Sequence, residues 1–310
     1  VGAGLLLMGL QAGSHDGWLT PLVLAELLGA LALLALFVLI ERRATAPILS
    51  LSVLARPLIA VPCLSGMMAS SIIIGFAAYV PLLVQGAWGG IPIEAGLIVA
   101  PLSIGWPIAS MLSGTLITRF GFRALAVWGS AIIVLGTLFL LGVQIEAVAH
   151  DPLLRSIVVV AAAAISGFGL GLSTTSMLIA VQSSVSWKER GITTASVQFF
   201  RNMGQALGAA ALGAVLSATL APMLATAQAK ALLSQVPATL LKPNSDPALG
   251  PANVLFDLKT RDMLTPPVRT LLADALAGSL WWVFVGLVIL AATGALMAMR
   301  FPREVQEVER

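Results

Sequence analysis

Long runs of apolar residues, separated by short polar gaps, cover most of the chain. A transmembrane α-helix needs roughly 20 apolar residues to cross about 30 Å of hydrocarbon, and seven runs reach that length. These runs are 20–41, 58–81, 93–117, 124–144, 156–182, 192–221 and 279–300. The run at residues 1–13 is too short to cross, and we expect it to be the end of a helix that begins in a longer chain. The pattern predicts an all-α integral membrane protein.

Composition predicts the same class of protein. Hydrophobic residues make up 58% of the chain and charged residues 10%, whereas soluble domains are about 25% charged. The Lys and Arg residues lie in the gaps between apolar runs and form no basic patch, so we expect a lipid bilayer as partner and no nucleic acid. His15 and His150 are isolated, and no His, Asp and Glu cluster has the spacing of a metal site or catalytic centre. We expect no metal and no cofactor.

Positive charge alternates between successive gaps, which predicts the orientation of the helices. Cytoplasmic loops are enriched in Lys and Arg. The basic gaps contain Arg42, Arg43, Arg56, Arg119, Arg123, Lys188, Arg190, Arg300, Arg303 and Arg310. We therefore expect these gaps and the C-terminus to be cytoplasmic in a multi-pass plasma membrane protein, and the Ala- and Leu-rich sequence favours a bacterial inner membrane.

The longest gap, residues 222–278, falls on the external side by the same rule. Its prolines between residues 237 and 251 predict an irregular middle. Apolar residues at helical spacing between 268 and 276 predict a short amphipathic helix that lies on the membrane surface before the last span.

Two of the predicted helices are almost free of polar residues. Run 124–144 contains Ser130 and Thr137, and run 279–300 contains Ser279 and Thr293. We expect both helices to form lipid-facing walls. They are the third and sixth of the six helices that begin at residue 58, a rhythm that fits two three-helix repeats of a transporter.

A polar stripe runs along one face of run 192–221. Its candidate members for a cavity or a domain interface are Gln198, Arg201, Asn202 and Gln205, which recur at helical spacing. The stripe must face protein or water, because an Arg at the centre of a membrane helix costs about 2.5–3.5 kcal/mol. We expect Arg201 to lie towards the cytoplasmic end of its helix, where this cost is smaller.

Run 156–182 carries a second polar set. Ser173, Thr174 and Gln182 are candidates for the same cavity or interface. The alternative for such Ser and Thr residues is a hydrogen bond back to their own helix backbone.

Glycines and acids inside the apolar runs are the remaining candidates. Gly167, Gly169 and Gly171 form GxGxG, and Gly204 and Gly208 form GxxxG. In apolar helices these patterns indicate close helix packing, and no strand precedes them as a nucleotide fingerprint would require. Glu26 lies about two turns into the first span and is the candidate membrane acid, whereas Glu94 stands at a helix start and suits a cap.

One short basic gap carries a recognisable motif. Residues 114–123, GTLITRFGFR, resemble the G-x-L-a-D-R-x-G-R-R/K loop of the major facilitator superfamily. The resemblance implies a gating role for Gly114, Arg119, Gly121 and Arg123. In such a loop the glycines would allow a tight turn and close helix approach. The arginines would bond to helix C-terminal carbonyls or to acids of the neighbouring half. Thr118 replaces the motif's Asp, which weakens any network centred on that acid. An ordinary positive-inside loop with a turn glycine would contain the same arginines.

Further stretches resemble one branch of that superfamily, the fourteen-helix drug:proton antiporters. They are residues 41–57, 94–110, 166–185 and 188–216. The resemblance implies that residues 1–57 hold a truncated helix, one extra central helix and a cytoplasmic junction. Residues 58–310 would then be the C-terminal six-helix bundle with the external loop 222–278, and the N-terminal bundle would be missing from this chain.

The resemblance implies a secondary transporter that exports hydrophobic or cationic drugs by alternating access. A proton gradient would supply the energy, with no cofactor and no enzymatic activity. A major facilitator transporter for another small solute is the nearest alternative. A membrane-embedded lipid-modifying enzyme is a weaker alternative, because the acids are scattered along the chain.

Overall fold

The computed structural model describes residues 20–41, 56–145, 151–234 and 247–302, with isolated positions at 4, 5, 8, 9, 12, 148, 236 and 237. The helices are α1 Pro21–Glu41, α2 Pro57–Leu82, α3 Pro92–Leu141, α4 Pro152–Ser183, α5 Trp187–Leu224, α6 Ala227–Leu233, α7 Leu258–Asp262 and α8 Pro266–Met299. A π-helical turn, Leu83–Ala87, extends α2, and 3₁₀ turns cover Gly142–Gln144 and Pro247–Phe256. Five of these helical stretches are long and apolar enough to cross a membrane. The all-α membrane fold predicted from the sequence is confirmed.

Gly121 divides α3 into two separate spans. The helix contains 50 residues, and only Gly121 within it leaves the helical region, with φ 77° and ψ 166°. A positive φ strains residues that carry a Cβ, so glycine is the residue suited to this break. We call the limb before the break α3a, residues 92–120, and the limb after it α3b, residues 122–141.

The two limbs of α3 pack on α4 in opposite directions. Contacts along α3a advance together with those along α4, whereas contacts along α3b run against α4. The pairs are Leu102 with Gly167 and Ser110 with Thr175 for α3a, then Gly129 with Ser173 and Gly136 with Ser166 for α3b. The chain therefore turns back at Gly121, which accounts for the two spans predicted at 93–117 and 124–144.

Glycines hold the helix pairs at backbone contact. A Cβ at Gly169 would lie 2.6 Å from the carbonyl oxygen of Gly129 on α3b, while Gly167 and Gly171 face the backbone of α3a. On α5, Gly204 lies against the backbone of Met67 in α2, as Gly208 does against Ser71 one turn further. The glycine patterns thus lie at close helix contacts, on three different partner helices.

Three polar residues expected towards lipid are buried instead. Ser130 is 5% exposed and Thr137 and Ser279 are fully buried, so the prediction of polar-poor, lipid-facing walls was wrong for these side chains. The Ser130 hydroxyl lies 3.1 Å from that of Ser173 on α4. Small polar residues let helices approach, so their faces turn inward, and large apolar residues such as Ile289, 60% exposed, turn outward.

The described part of segment 222–278 is folded over one end of the bundle. Leu249 and Leu255 of the 3₁₀ segment are buried in the same core as Val268 and Leu272. The amphipathic helix expected on the membrane surface is therefore the beginning of α8, and its apolar face packs against protein. Residues 238–246 lie outside the described residues, as does the junction 42–55, so the division into 1–57 and 58–310 stays a prediction.

The α2–α5 contact predicts how the bundle responds to a single methyl group. In Gly204→Ala, the Cβ would lie 2.7 Å from the carbonyl carbon of Met67, so the two helices must separate. We expect a loss of about 1–3 kcal/mol, the usual range for overpacking. The measurement is the midpoint of thermal unfolding in detergent.

Gly96→Ala is the matched control, because nothing lies within 4 Å of the Cβ it would add on α3. That variant should be neutral or more stable by up to about 1 kcal/mol, since alanine favours the helix. Equal midpoints for the two variants would contradict the proposed role of Gly204 in packing.

Candidate functional site

A polar pocket opens between α2, α4 and α5. The empty space between these helices is about 480 Å³, a figure that includes the open solvent at its mouth. The lining residues are Pro62, Ser65, Gly66, Ala69, Ser173, Thr174, Met177, Leu178, Thr194, Val197, Gln198 and Arg201. Four of the predicted cavity residues, Ser173, Thr174, Gln198 and Arg201, therefore meet at one place.

Arg201 is the charged residue of this pocket. Its guanidinium carbon lies 5.3 Å from the ring centroid of Trp106, which is within the range of a cation–π contact worth about 0.5–2 kcal/mol. Its side-chain stem passes over α2 where that helix has no side chain, since a Cβ at Gly66 would lie 3.4 Å from Arg201 Cγ. Its Nε atom is buried and has no hydrogen-bond partner among the described residues.

Arg201 lies in the first half of α5, closer to the basic gap at residues 188–190 than to the other end of this helix at Leu224. The sequence assigns that gap to the cytoplasmic side, so the expectation that Arg201 lies towards the cytoplasmic end stays a prediction. Its guanidinium reaches Trp106, at the middle of α3a. The cation is accommodated by this aromatic ring and by Gly66, which lie on other helices and are far apart in sequence.

Hydroxyl groups of the pocket use their protons within the protein. Thr174 donates to the carbonyl of Leu170 at 2.6 Å, the own-backbone alternative considered for this residue. Ser65 donates to the carbonyl of Val61 at 2.7 Å. Such hydroxyls keep oxygen lone pairs as acceptors, while Arg201 supplies donors. The pocket thus combines one cation, several neutral acceptors and an apolar wall.

The other predicted residues of the stripe lie around the pocket or away from it. Gln182 donates to the Thr194 hydroxyl at 3.3 Å and so contacts a residue of the lining. Asn202 accepts from Gln198 at 3.1 Å on the exposed side of α5, and Gln205 is also exposed and outside the pocket. Helical spacing identified the correct helix, but the pocket occupies only part of the stripe.

Sequence analysis missed the contribution of α2 and the role of Trp106. Ser65 and Gly66 are adjacent small residues in the first half of α2, a combination that signals close approach by another helix or a side chain. A tryptophan in the middle of a span, away from the interfacial belt where tryptophans concentrate, is the corresponding signal for Trp106.

Comparisons with known proteins assign the family. A tetracycline resistance determinant of Streptomyces rimosus is 30% identical over 261 residues, which are 81% of this chain and 70% of that protein. An uncharacterized MFS-type transporter of Mycobacterium tuberculosis is 31% identical over 288 residues, 93% of this chain and 38% of that protein. The chain belongs to the major facilitator superfamily.

Other comparisons refine this assignment. The multidrug transporter protein MdtP of Bacillus subtilis is 31% identical over 221 residues, 70% of this chain and 39% of that protein. The chain thus spans less than half the length of MdtP and of the Mycobacterium tuberculosis relative. A scan against protein-family models gave no match. The relatives named here are transporters or resistance proteins and none is an enzyme, which removes the lipid-modifying alternative.

The loop motif of the major facilitator superfamily is at the end of the bundle that holds Arg119, Arg123, Arg190 and Arg300, which we call the basic end. Arg123 donates from Nη2 to the carbonyl oxygen of Met299 at 2.8 Å, at the C-terminus of α8. A cation at a helix C-terminus interacts favourably with the helix dipole. Gly121 supplies the turn of the motif.

Gly114 and Arg119 do not take part in comparable contacts. Within the described part of the chain, nothing lies within 4 Å of a Cβ at Gly114, so no described helix makes the close approach expected there. Arg119 is exposed and has no hydrogen bond to the described part of the chain. Thr118, at the position of the motif's Asp, donates to the carbonyl of Thr115 at 2.7 Å. The gating role of these residues stays a prediction.

Glu26 lies apart from the pocket, on α1. A Cβ at Gly9 would lie 3.3 Å from Glu26 Cβ, so Gly9 lies beside this helix. The Oε2 atom of Glu26 is buried and has no hydrogen-bond partner among the residues the structure describes. Glu94, by contrast, accepts from the Ile91 amide at 3.1 Å and is the helix cap that the sequence predicts.

The contact between Arg123 and Met299 generates a prediction for the basic end. Arg123→Gln replaces the guanidinium that donates to the Met299 carbonyl with a shorter, neutral amide and should loosen the last turn of α8. A hydrogen bond to a charged group contributes about 1.5–3 kcal/mol. We expect faster hydrogen–deuterium exchange at residues 296–301.

Arg119→Gln is the control, because it removes the same charge from an exposed neighbour in the same loop. That variant should leave exchange in α8 unchanged. Equal acceleration in both variants would assign the effect to net charge and not to the hydrogen bond.

Proposed function

We propose that this chain is the C-terminal part of a secondary transporter that exports small amphipathic drugs by alternating access. The observation that carries the proposal is the pocket around Arg201, in which a half-buried cation and several hydroxyls lie beside an apolar wall. Membership of the major facilitator superfamily supports transport. The names of MdtP and of the Streptomyces rimosus relative favour drugs as the substrates.

The proposal includes a second bundle. In a two-bundle transporter the binding site lies near the bilayer midplane between the bundles. The Arg201 guanidinium lies beside Trp106 at the middle of α3a, while the other lining residues lie in the halves of α2, α4 and α5 nearer the basic end. The exposed side of α5 beside the pocket carries Asn202 and Gln205. An N-terminal bundle preceding this chain would cover that side and complete the cavity. In the fourteen-helix branch two extra central helices precede the second bundle, and α1 would be one of them.

The proposal also includes the energy source for transport and the membrane in which the protein lies. A proton gradient would drive export without a cofactor, and the protein would lie in a bacterial inner membrane. The basic end would face the cytoplasm, together with the C-terminus, as the distribution of Arg and Lys favours. The loop at Gly121 would then act on the cytoplasmic side.

Substitutions in the pocket test the transport proposal. Thr194 lines the pocket and accepts from Gln182, so Thr194→Val removes an acceptor without changing the size of the side chain. Gln198→Leu removes a larger polar group from the same wall. We expect each variant of the full-length protein to reduce dye efflux from proteoliposomes several-fold, because a lost hydrogen bond of about 1 kcal/mol changes affinity by about fivefold.

Thr293→Val is the matched control. The Thr293 hydroxyl donates to its own backbone at Ile289, at 2.8 Å, on the partly exposed side of α8 and away from the pocket. This variant should transport as well as the unmodified protein at equal expression. Equal loss in Thr194→Val and Thr293→Val would contradict the assignment of the pocket to transport.

A substitution of Glu26 tests whether this acid couples export to the proton gradient. Glu26 is an acid within an apolar helix whose Oε2 atom has no hydrogen-bond partner among the described residues, and an acid inside a membrane segment is a candidate functional residue. Glu26→Gln keeps the shape of the side chain but cannot ionise, so we expect efflux to lose part of its dependence on pH. Glu94→Gln, at the helix cap, should leave that dependence unchanged. An unchanged pH profile in Glu26→Gln would assign Glu26 a structural role.

A further inference from the structure

The described lining of the pocket around Arg201 carries a positive charge and no negative charge. No Asp or Glu occurs among its lining residues in the described part of the chain. Glu189 lies at the beginning of α5 and accepts from the Ser186 hydroxyl at 3.1 Å, three turns before Arg201. A second pocket at the opposite end of the bundle holds both Arg155 and Glu94 and so contains both signs of charge. Arg201 therefore has no carboxylate partner among the described residues.

The surroundings of Arg201 leave its donors available. A guanidinium group has five N–H donors in its plane, while its face can stack on an aromatic ring. Trp106 lies at cation–π distance, and the Nε atom is buried without an acceptor among the residues that the structure describes. A buried donor without an acceptor is costly, so an oxyanion that reached this pocket would gain more than one bound at the surface.

Neighbouring groups complete a site for an acidic molecule. Gln198 can donate from its amide, and the Ser173 and Thr194 hydroxyls lie in the same lining. Met177, Leu178 and Val197 provide an apolar surface beside them. An aromatic or aliphatic skeleton could lie on that surface while its charged group meets the guanidinium.

We propose that this pocket selects transported molecules that carry a carboxylate or a similar planar oxyanion, which pairs with Arg201. The inference rests on the proposed function, because it names the substrate class of the same cavity. It also changes the expectation drawn from the sequence. A purely cationic drug would meet an uncompensated positive charge here, with no acid among the described lining residues to attract it.

The test compares acids with their own esters. Rhodamine B and indomethacin carry a free carboxylate, and their methyl esters retain the same skeleton without that charge. Binding of all four compounds to the full-length protein in detergent is measured by equilibrium dialysis, and transport is measured in proteoliposomes. We expect each acid to bind about tenfold more tightly than its ester, the effect of one charge-assisted hydrogen bond.

Variants assign the preference to Arg201. Arg201→Gln should remove the difference between acid and ester, and Arg201→Lys should retain part of it, since it keeps the charge but not the planar fork. Arg155→Gln is the matched control. Arg155 also lies over a tryptophan, at 4.5 Å from the ring centroid of Trp88, and its Nε atom is also buried without a described hydrogen-bond partner. Arg155 nevertheless belongs to the other pocket. This variant should keep the full preference.

The possible outcomes separate the inference from the proposed function. Equal or tighter binding of the esters, with transport intact, would overturn the anion preference alone and would point to a carboxylate of the preceding bundle as the partner of Arg201. A preference for acids that survives in Arg201→Gln would overturn it as well. If none of the four compounds binds, the pocket is not a drug site, and the proposed function fails together with the inference.

Discussion

Backbone contact between helices, permitted by glycine, is the constraint on which the rest of this structure depends. Inside a bilayer, lipid tails are as apolar as leucine, so helices associate through close packing and interhelical hydrogen bonds. Gly204 brings α5 against the backbone of Met67 in α2, and the Ser71 hydroxyl donates to the Gly204 carbonyl at 2.7 Å. Gly167 and Gly169 bring α3a and α3b to opposite sides of α4. These contacts thereby set the packing of five spans, α5 on α2 and both limbs of α3 on α4.

The position of the pocket follows from this packing. The α2–α5 contact is tight at Gly204, and one turn earlier on α5 the side chain of Arg201 passes over Gly66 into the pocket. Arginine at this depth is expensive in a bilayer, where insertion scales give about 2.5–3.5 kcal/mol. The fold reduces exposure of the charge to lipid by enclosing it between helices and beside Trp106. The contacts of Gly66 and Gly204 therefore set both the packing of α5 on α2 and the position of the Arg201 charge. A substitution that moves these helices apart would also move the guanidinium.

The sequence predicts the helices well and their surroundings less well. Spans are set by local composition, so the apolar runs identify them, and the positive φ of Gly121 agrees with the turn predicted between two of them. The facing of a helix depends on residues far away in sequence. Ser130 and Thr137 therefore face protein and not lipid, although their helix is almost wholly apolar. The sequence does not predict the role of Trp106 for the same reason, because its contact with Arg201 joins residues on different helices.

Contacts at both ends of α8 bear on how such a bundle can move. At the basic end, Arg123 bonds to the Met299 carbonyl. At the opposite end, Gln144 donates to the Ala277 carbonyl at 3.0 Å, and buried Arg261 donates to the carbonyl of Gly89 at 2.8 Å. These contacts join α3b to α8 at both ends of the bundle, and they join the segment around Arg261 to Gly89. Sliding of α8 along α3b would therefore break hydrogen bonds at both ends. Rotation of the bundle as a unit breaks none of them, and alternating access by rocking requires only that motion.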